Sequence, residues 1–387
     1  MKSISIFFCL IVLSIGNINL NAKAEIINDE VLKVGLIVPL SGKYGSIGKS
    51  ILNSLRIALN KIDDNKIAIY PRDNQADPEK TLLAGKELSD LGVSIIIGPI
   101  FHENLKYVEN LNNILFLTLS NKDYDLPSNV IATGINAKSQ LDRIILFLKK
   151  ENLSKTIVLI PKSENESELK KYFSKVKFKF SNIYSYDTNP EKLTKQIELI
   201  TKYKERKYDL NRRIKILEKS ELEEHKRELE KLKTKDTIGS LNFDSVIIAD
   251  FDQSLKSVVT SFLYADVDYK RVKLITLNQW FDETLFKENS TNNIYFPSVN
   301  YKNYTKFRET YFINYNKYPN NISIIAYDIF GLIYYMSKKN KKKLNIDSFF
   351  KKNKFSGNVG QFEINKNLIN YKLNLYQVSR GKFKLIN

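Results

Sequence analysis

Along this chain, short runs of apolar, mostly β-branched residues alternate with longer stretches whose apolar side chains return every third or fourth position. Val34 to Val38 is the first run, and it reads as a strand buried on both faces. Pro39 stops it, and Ser41, Gly42, Gly45 and Gly48 form a loop whose backbone can approach something closely. From Ile51 the spacing changes, and Ile51, Leu55, Ala58, Leu59 and Ile62 mark the buried stripe of a helix. Lys66 to Tyr70 is a second strand. Asp77 and Pro78 suit the N-cap and first turn of a helix that runs to Gly92. Ser94 to Pro99 is a third strand, His102 to Leu111 a helix, and Ile114 to Leu119 a fourth strand.

The alternation resumes with strand Thr156 to Ile160, a helix from Glu166 and a strand near Val176 to Tyr186. Strand Phe243 to Ala249, helix Leu255 to Tyr264 and strand Val272 to Leu277 come next, then helices Tyr301 to Tyr318 and Ile322 to Ser337. Such an order predicts α/β architecture with doubly wound parallel sheets, in which ligands bind at the loops after the strand C-termini. The length allows two domains.

One segment breaks the alternation. Glu191 to Asp236 is dense in Lys, Glu, Arg and Leu, without Gly or Pro. Leu210, Ile214 and Leu217, then Leu222, His225, Leu229 and Leu232, keep heptad-like spacing, which predicts a helical insertion, either one helix or a hairpin of two. Its ordinary reading is a solvated face with a thin packing seam; its functional reading is a protein-docking arm.

The glycine loop invites comparison with a phosphate-binding loop, because Gly48-Lys49-Ser50 opens a helix. That motif needs a glycine five residues before the last one, and position 43 is Lys. A strand ending in Asp250 could pose as the magnesium partner, but hydrophobic strands ending in Asp are common. Nucleotide hydrolysis is set aside.

Composition narrows the chemistry further. Met1 to Ala24 has a positive start, an apolar core from Ile4 to Ile15 and an Ala-Lys-Ala site before Glu25, the pattern of a cleaved signal peptide. The core is too short for a transmembrane span, and no later stretch reaches that length. The one cysteine, Cys9, lies within that core and lacks the neighbours of a lipid-attachment site. Neither a lipoprotein nor disulfide or thiol chemistry is expected of the mature chain. Two histidines and no mature cysteine give zinc or Cys/His catalysis no ligand set. Paired carboxylates such as Asp63-Asp64, Glu223-Glu224 and Asp266/Asp268 fit helix ends or loops rather than acid–base work. No enzyme activity and no cofactor are expected. The net charge of +18 is spread as lysine along a chain rich in Asn, Ile, Tyr and Phe, which fits codon bias better than nucleic-acid binding.

Taken in order, Pro39-x-Ser41-Gly42 with Tyr44 and Gly45, then Arg72-Asp73, Ile97-Gly98-Pro99 and Leu119-Ser120, resemble the first lobe of a type I periplasmic binding protein of the leucine-binding family. Ala326-Tyr327-Asp328 and the Gly-rich tail from Phe355 to Asn365 resemble that family's return helix and closing hairpin. The resemblance covers roughly residues 31 to 387. It implies lobe 1 at 31–134 and 300–345, lobe 2 at 135–299 and 346–387, and a charged insertion at 191–236 within lobe 2. Asp236-Thr237-Ile238-Gly239 and Phe243-Asp244-Ser245-Val246 after that insertion resemble the penicillin-binding protein activator branch, and Gln279-Trp280 continues its style.

The resemblance also implies a cleft. Ser41, Tyr44, Ser120 and Asn121 would contribute from the first lobe, with His102 either touching a ligand or capping its turn. Asp250, Asn278 and Gln279 would contribute from the second. Pro161-Lys-Ser-Glu-Asn165 replaces the family's usual Asp-x-Tyr-Gly, and Phe101-His102-Glu103 replaces a run of small hydroxyl residues, which weakens the case for an α-amino acid. The expected function is a non-catalytic periplasmic regulator of peptidoglycan synthesis. The alternative is a substrate-binding receptor of an ABC importer for amino acids or similar solutes. Partners would accordingly be a small amino-acid-like molecule in the cleft and an envelope protein, either a peptidoglycan synthase or an ABC permease, with no nucleic acid.

Overall fold

The computed structural model describes residues 31–339 and 346–386; the leader expected at 1–24, with Cys9, lies outside these residues. Strands β1 (Leu32–Val38), β2 (Ile67–Asp73), β3 (Ile95–Ile97), β4 (Leu115–Thr118) and β5 (Val130–Ala132) pair in parallel. The chain then crosses to a second sheet built from β6 (Thr156–Pro161), β7 (Asn182–Tyr186), β8 (Ser245–Ile248), β9 (Lys273–Thr276) and β10 (Tyr295–Ser298). It returns through helices Tyr301–Tyr315 and Ser323–Lys339 to β11 (Asn353–Ser356), β12 (Gln361–Asn365) and β13 (Leu368–Lys372), and crosses once more to β14 (Asn374–Ser379) and β15 (Lys382–Ile386). The sheet orders are β11-β12-β13-β5-β4-β3-β1-β2 and β15-β14-β10-β9-β8-β6-β7. Helices cover both sheets, as runs such as Ile95-Ile96-Ile97, fully buried on both faces, require.

Two expected boundaries move. The tail 346–387 does not go to the second lobe as a block: β11 to β13 extend the first sheet, and only β14 and β15 join the second. The cause is local. The turn between β11 and β12 is anchored to the return helix by Asp328, whose carboxylate accepts from Asn358 N, Asn358 Nδ2 and Val359 N at 2.8–2.9 Å. Asn367 Nδ2 then donates to the Val130 carbonyl at 2.7 Å, setting β13 beside β5.

The insertion also starts later than Glu191. Helix Pro190–Thr201 is capped by Asn189 and buries Leu193 and Ile197 in the main core, so it belongs to the second lobe's helical layer. Lys202, with φ 53°, ends it. The inserted part is a hairpin of helices Tyr203–Leu217 and Glu223–Lys233, with a small core of Leu210, Leu217 and Leu232 and a two-pronged Arg213–Glu228 pair at 2.8 and 2.9 Å. His225 is half-buried against Ser220 at 2.7 Å. The helix expected over His102 to Leu111 is instead two short 3₁₀ turns, His102–Leu105 and Val108–Asn110.

The opening loop has a packing explanation. A Cβ on Gly48 would stand 1.8 Å from the Pro39 carbonyl oxygen, so glycine lets helix Gly45–Ile62 close onto the end of β1. That helix packs along the return helix, where Ser50 and Ser323 hydroxyls meet at 2.8 Å.

Candidate functional site

The C-terminal ends of β3 and β4 and the first crossing form one wall of a cleft, and the loops after β8 and β9 form the other. A cavity of about 380 Å³ lies between them, bounded by His102, Ser120, Asn121 and Gln140, with Phe251 and Trp280 opposite. Its size falls within the range of small-molecule sites.

Ser120 is buried, and its position is set on three sides. Its amide donates to Thr118 Oγ1 at 3.3 Å, its carbonyl accepts from Gly134 N at 3.0 Å, and its hydroxyl accepts from Lys122 N at 3.2 Å. The hydroxyl proton is left for another acceptor. Gly134 is required here, because a Cβ would lie 2.5 Å from the Ser120 carbonyl oxygen and 2.7 Å from Asn121 N. Asn121 is exposed on the same rim.

His102 packs its ring on Tyr124 at 4.9 Å, and its buried Nδ1 has no partner. Burial, and then the Lys122 ammonium nearby, hold its pKa below the ordinary histidine value. A neutral ring with an unsatisfied nitrogen at a cavity wall can give or take one hydrogen bond.

The second-lobe residues divide. Asn278 lines the cleft. Its amide N donates to Gln140 Oε1 at 2.8 Å, while Oδ1 accepts from Trp280 N at 3.0 Å and Ser298 Oγ at 2.8 Å, leaving Nδ2 as the unspent donor. Asp250 is spent on the fold. One carboxylate oxygen accepts the Tyr186 hydroxyl and the other accepts Phe251 N at 2.8 Å. Burial and that carboxylate push the Tyr186 phenol far above its ordinary pKa. Gln279 likewise turns inward, Nε2 donating to the Asp250 carbonyl at 3.0 Å and to Thr276 Oγ1 at 3.2 Å.

Two first-lobe candidates stand outside the cavity. Ser41 donates to Asp73 Oδ2 at 2.5 Å, and Leu40 N and Gln75 N donate to Oδ1. Burial raises the Asp73 pKa, but these bonds outweigh it and hold the carboxyl below its usual range. The cluster ties the opening loop to the end of β2. Tyr44 packs on Phe101 at 4.6 Å and so backs the cavity wall without reaching the cavity.

The structure adds residues that were not among the expected ligand contacts. Trp280 is the chain's one tryptophan and lines the cleft. Its φ is 50° and that of Phe281 is 59°, a left-handed pair of bulky residues of the kind that persists where surroundings over-determine it. At the mouth, the loop after β4 reaches the second lobe. Tyr172 donates to Asp123 Oδ1 at 2.5 Å, Tyr124 donates to Glu168 Oε2 at 3.2 Å, and Lys122 Nζ lies 3.7 Å from Glu103 and 3.9 Å from Glu168. The signal for this tie was present as the polar run Asn121 to Asp125, but nothing in the sequence says which helix it meets.

Among the described residues, no group of three or more His, Cys, Asp or Glu side chains could hold a metal ion, and no helix is long and apolar enough to cross a membrane.

A two-lobed α/β fold with a small-molecule-sized cavity between strand C-termini is the architecture of a ligand-binding fold. Residues 31–172 match the family model described as periplasmic binding protein. The fold is that of the type I periplasmic binding proteins, and the match to the family's sequence model is confined to that segment. A putative branched-chain amino acid ABC transporter protein from Rhodospirillum rubrum superposes with a TM-score of 0.71 at 10% identity, covering 92% of this chain and 100% of that one. The C-domain of LpoA from Haemophilus influenzae, described as a regulator of PBP1A, gives 0.59 at 12% identity over 92% and 100%. LivJ from Streptococcus pneumoniae, solved with isoleucine, gives 0.56 at 16% identity over 92% and 99%. In sequence, the chain is 30% identical over 103 residues to an uncharacterized protein of Methanocaldococcus jannaschii, a match spanning 24% of this chain and 25% of that protein.

Proposed function

We propose that this is a non-catalytic periplasmic protein, exported by its leader, that regulates a peptidoglycan synthase in the manner of a penicillin-binding protein activator. The observation that carries this reading is the fate of Asp250. The second-lobe acid that would grip a ligand ammonium has both oxygens engaged by Tyr186 and Phe251 N, and Gln279 beside it is spent on the backbone. With Ser41 tied to Asp73, the polar clamp of an amino-acid receptor is not assembled. What the second lobe offers instead is the helical hairpin, which exposes Tyr208, Ile216 and Leu222. Exposed large apolar side chains on a charged arm suit a protein contact. The likeness to the LpoA C-domain supports the same role.

The test is binding of the full chain to a purified bifunctional peptidoglycan synthase, with and without residues 203–235. Binding that disappears with the hairpin supports the reading; absence of binding by the intact chain sinks it. The deletion must spare Pro190–Thr201, whose Leu193 and Ile197 are core.

A second reading, a receptor that hands a small solute to an importer, is favoured by the 380 Å³ cavity with Ser120 and Asn278 at its walls. A thermal-shift screen against amino acids and envelope metabolites tests it. A solute at about a hundred times its dissociation constant adds about 2.7 kcal/mol of stability, and silence across the panel removes this reading.

A further inference from the structure

Beside the cleft lies a larger cavity, of about 730 Å³, which shares Phe251, Asn278 and Trp280 with it. Its floor is the face of helix Tyr301–Tyr315 that carries Tyr304, Thr305 and Arg308, and its far side is the turn at Tyr318 and Asn321. Arg308 is half-buried there. Its guanidinium lies 4.5 Å from the Tyr318 ring centre and 5.7 Å from that of Tyr304. No carboxylate of the described residues comes within 4 Å of it, so it is a cation held by rings rather than by an ion pair. Both rings lie within cation–π range of the guanidinium, and its N–H groups, which bond no acceptor among the described residues, suit a planar oxyanion.

The surrounding donors and acids restrict what that oxyanion belongs to. Tyr304 donates its hydroxyl to Asn321 Oδ1 at 2.5 Å, which leaves Asn321 Nδ2 as a second donor beside Arg308. Asp282, Glu283 and Glu309 line the same cavity. Asp282 Oδ1 is taken by Thr284 N, Thr284 Oγ1 and Leu285 N, and Glu283 lies 3.7 Å from Lys287 Nζ, which leaves Asp282 Oδ2 and Glu309 as the open acceptors. Acids on the same wall disfavour a doubly charged phosphate and suit a ligand with one carboxylate and one ammonium at opposite ends. The volume exceeds what a single amino acid needs and matches a drug-sized molecule. Trp280, at positive φ, stands on the wall common to both cavities, and Phe281 after it lines only the larger one.

We propose that this cavity is a binding site for a short peptide, its C-terminal carboxylate on the Arg308 fork and its ammonium toward Asp282 and Glu309, with side chains laid along Trp280 into the cleft. The proposal is independent of which partner the protein serves.

The test is calorimetric titration of the full chain with a panel of tripeptides carrying an aromatic residue, each as the free acid and as the C-terminal amide. Inorganic phosphate is titrated separately. Free acids are expected to bind, amides to bind at least about tenfold more weakly, and phosphate not to compete. Arg308→Gln should abolish the difference between acid and amide, and Arg308→Lys should restore it only in part, because a point charge lacks the fork. The acid-versus-amide comparison uses the wild-type chain, so a poorly folding variant does not obscure it. Equal binding of acids and amides, displacement by phosphate, or no binding of any tripeptide would each overturn the site.

Discussion

Tyr172, on the helix after β6 in the second lobe, donates its hydroxyl to Asp123 of the first lobe at 2.5 Å. This bond bridges the mouth of the cleft together with Tyr124–Glu168 and the longer Lys122–Glu168 contact. Burial, and then the Asp123 carboxylate, push the Tyr172 phenol well above its ordinary pKa, so it stays a donor through the physiological range. Two-lobed proteins commonly move by hinge closure, and here the protein's own side chains join the two lobes at the mouth.

Tyr172→Phe removes that donor without removing the ring. A hydrogen bond to a charged group contributes about 1.5–3 kcal/mol, whereas the longer, part-exposed Lys122–Glu168 contact at 3.9 Å contributes about 0–1 kcal/mol. We expect Tyr172→Phe to widen the distribution of lobe separations, and Lys122→Ala to widen it less. Spin labels on Lys86→Cys and Lys175→Cys, exposed positions on the two lobes, report the distance. An unchanged distribution in Tyr172→Phe would show that the bond does not hold the lobes.

His102 gives a pH dependence with a definite sign. Its pKa lies below the ordinary 6.5 because burial disfavours the cation and Lys122 repels it, with Glu103, Asp125 and Glu168 only partly offsetting this. The folded state therefore binds its proton less readily than the unfolded chain. The stability from the neutral ring is complete above pH 6.5 and is lost as pH falls through the lower folded value. Thermal midpoints of the wild type should drop over that interval, and His102→Gln should show a shallower drop. Parallel curves for the two proteins would refute the assignment.

Gly134 and Gly331 make opposite predictions from the same substitution. A Cβ at Gly134 drives into the Ser120 carbonyl, so Gly134→Ala should destabilise the protein by about 1–3 kcal/mol and disturb the cleft wall. A Cβ at Gly331, in the middle of the return helix, meets nothing within 4 Å, so Gly331→Ala should stabilise by about 0.5–1 kcal/mol through helix propensity. Denaturant unfolding of both variants checks the signs, and a stable Gly134→Ala would mean that the first crossing can shift.

Much of this architecture is legible in the sequence because burial on both faces leaves an unambiguous mark. Ile95-Ile96-Ile97 and Val34 to Val38 have no other comfortable place than a covered parallel sheet. The return of β11 to β13 to the first sheet was not legible, because it depends on Asp328 meeting Asn358 thirty residues away. The site is less legible still. A carboxylate at a strand end looks the same whether it is free for a ligand or engaged by a tyrosine 64 residues distant, and Asp250 is the second kind. Glu191 to Asp236 reads as one helical block by composition, yet Leu193 and Ile197 are core and the hairpin begins only after Lys202.

The base of that hairpin carries a prediction in which charge removal stabilises. Arg206 is 5% exposed, and among the described residues its guanidinium has one partner, the Ala265 carbonyl, 2.5 Å from Nη2; Nε and Nη1 are buried and find none there. Burial lowers its pKa, which Asp266 nearby offsets in part. A buried cation with unmade bonds costs more than an apolar chain of like volume. Arg206→Met keeps the side-chain bulk beside Gly239 while removing the unsatisfied groups, so we expect unchanged or higher stability, by up to about 2 kcal/mol. Arg206→Ala removes the volume too and should cost about 2–4 kcal/mol, felt first in the hairpin. Hydrogen exchange over residues 203–235 separates the two outcomes. Protection in Arg206→Met at or above wild type, with loss in Arg206→Ala, means that Arg206 acts there as packing. Equal loss in both would mean that its one bond to Ala265, not its bulk, pins the hairpin to the second lobe.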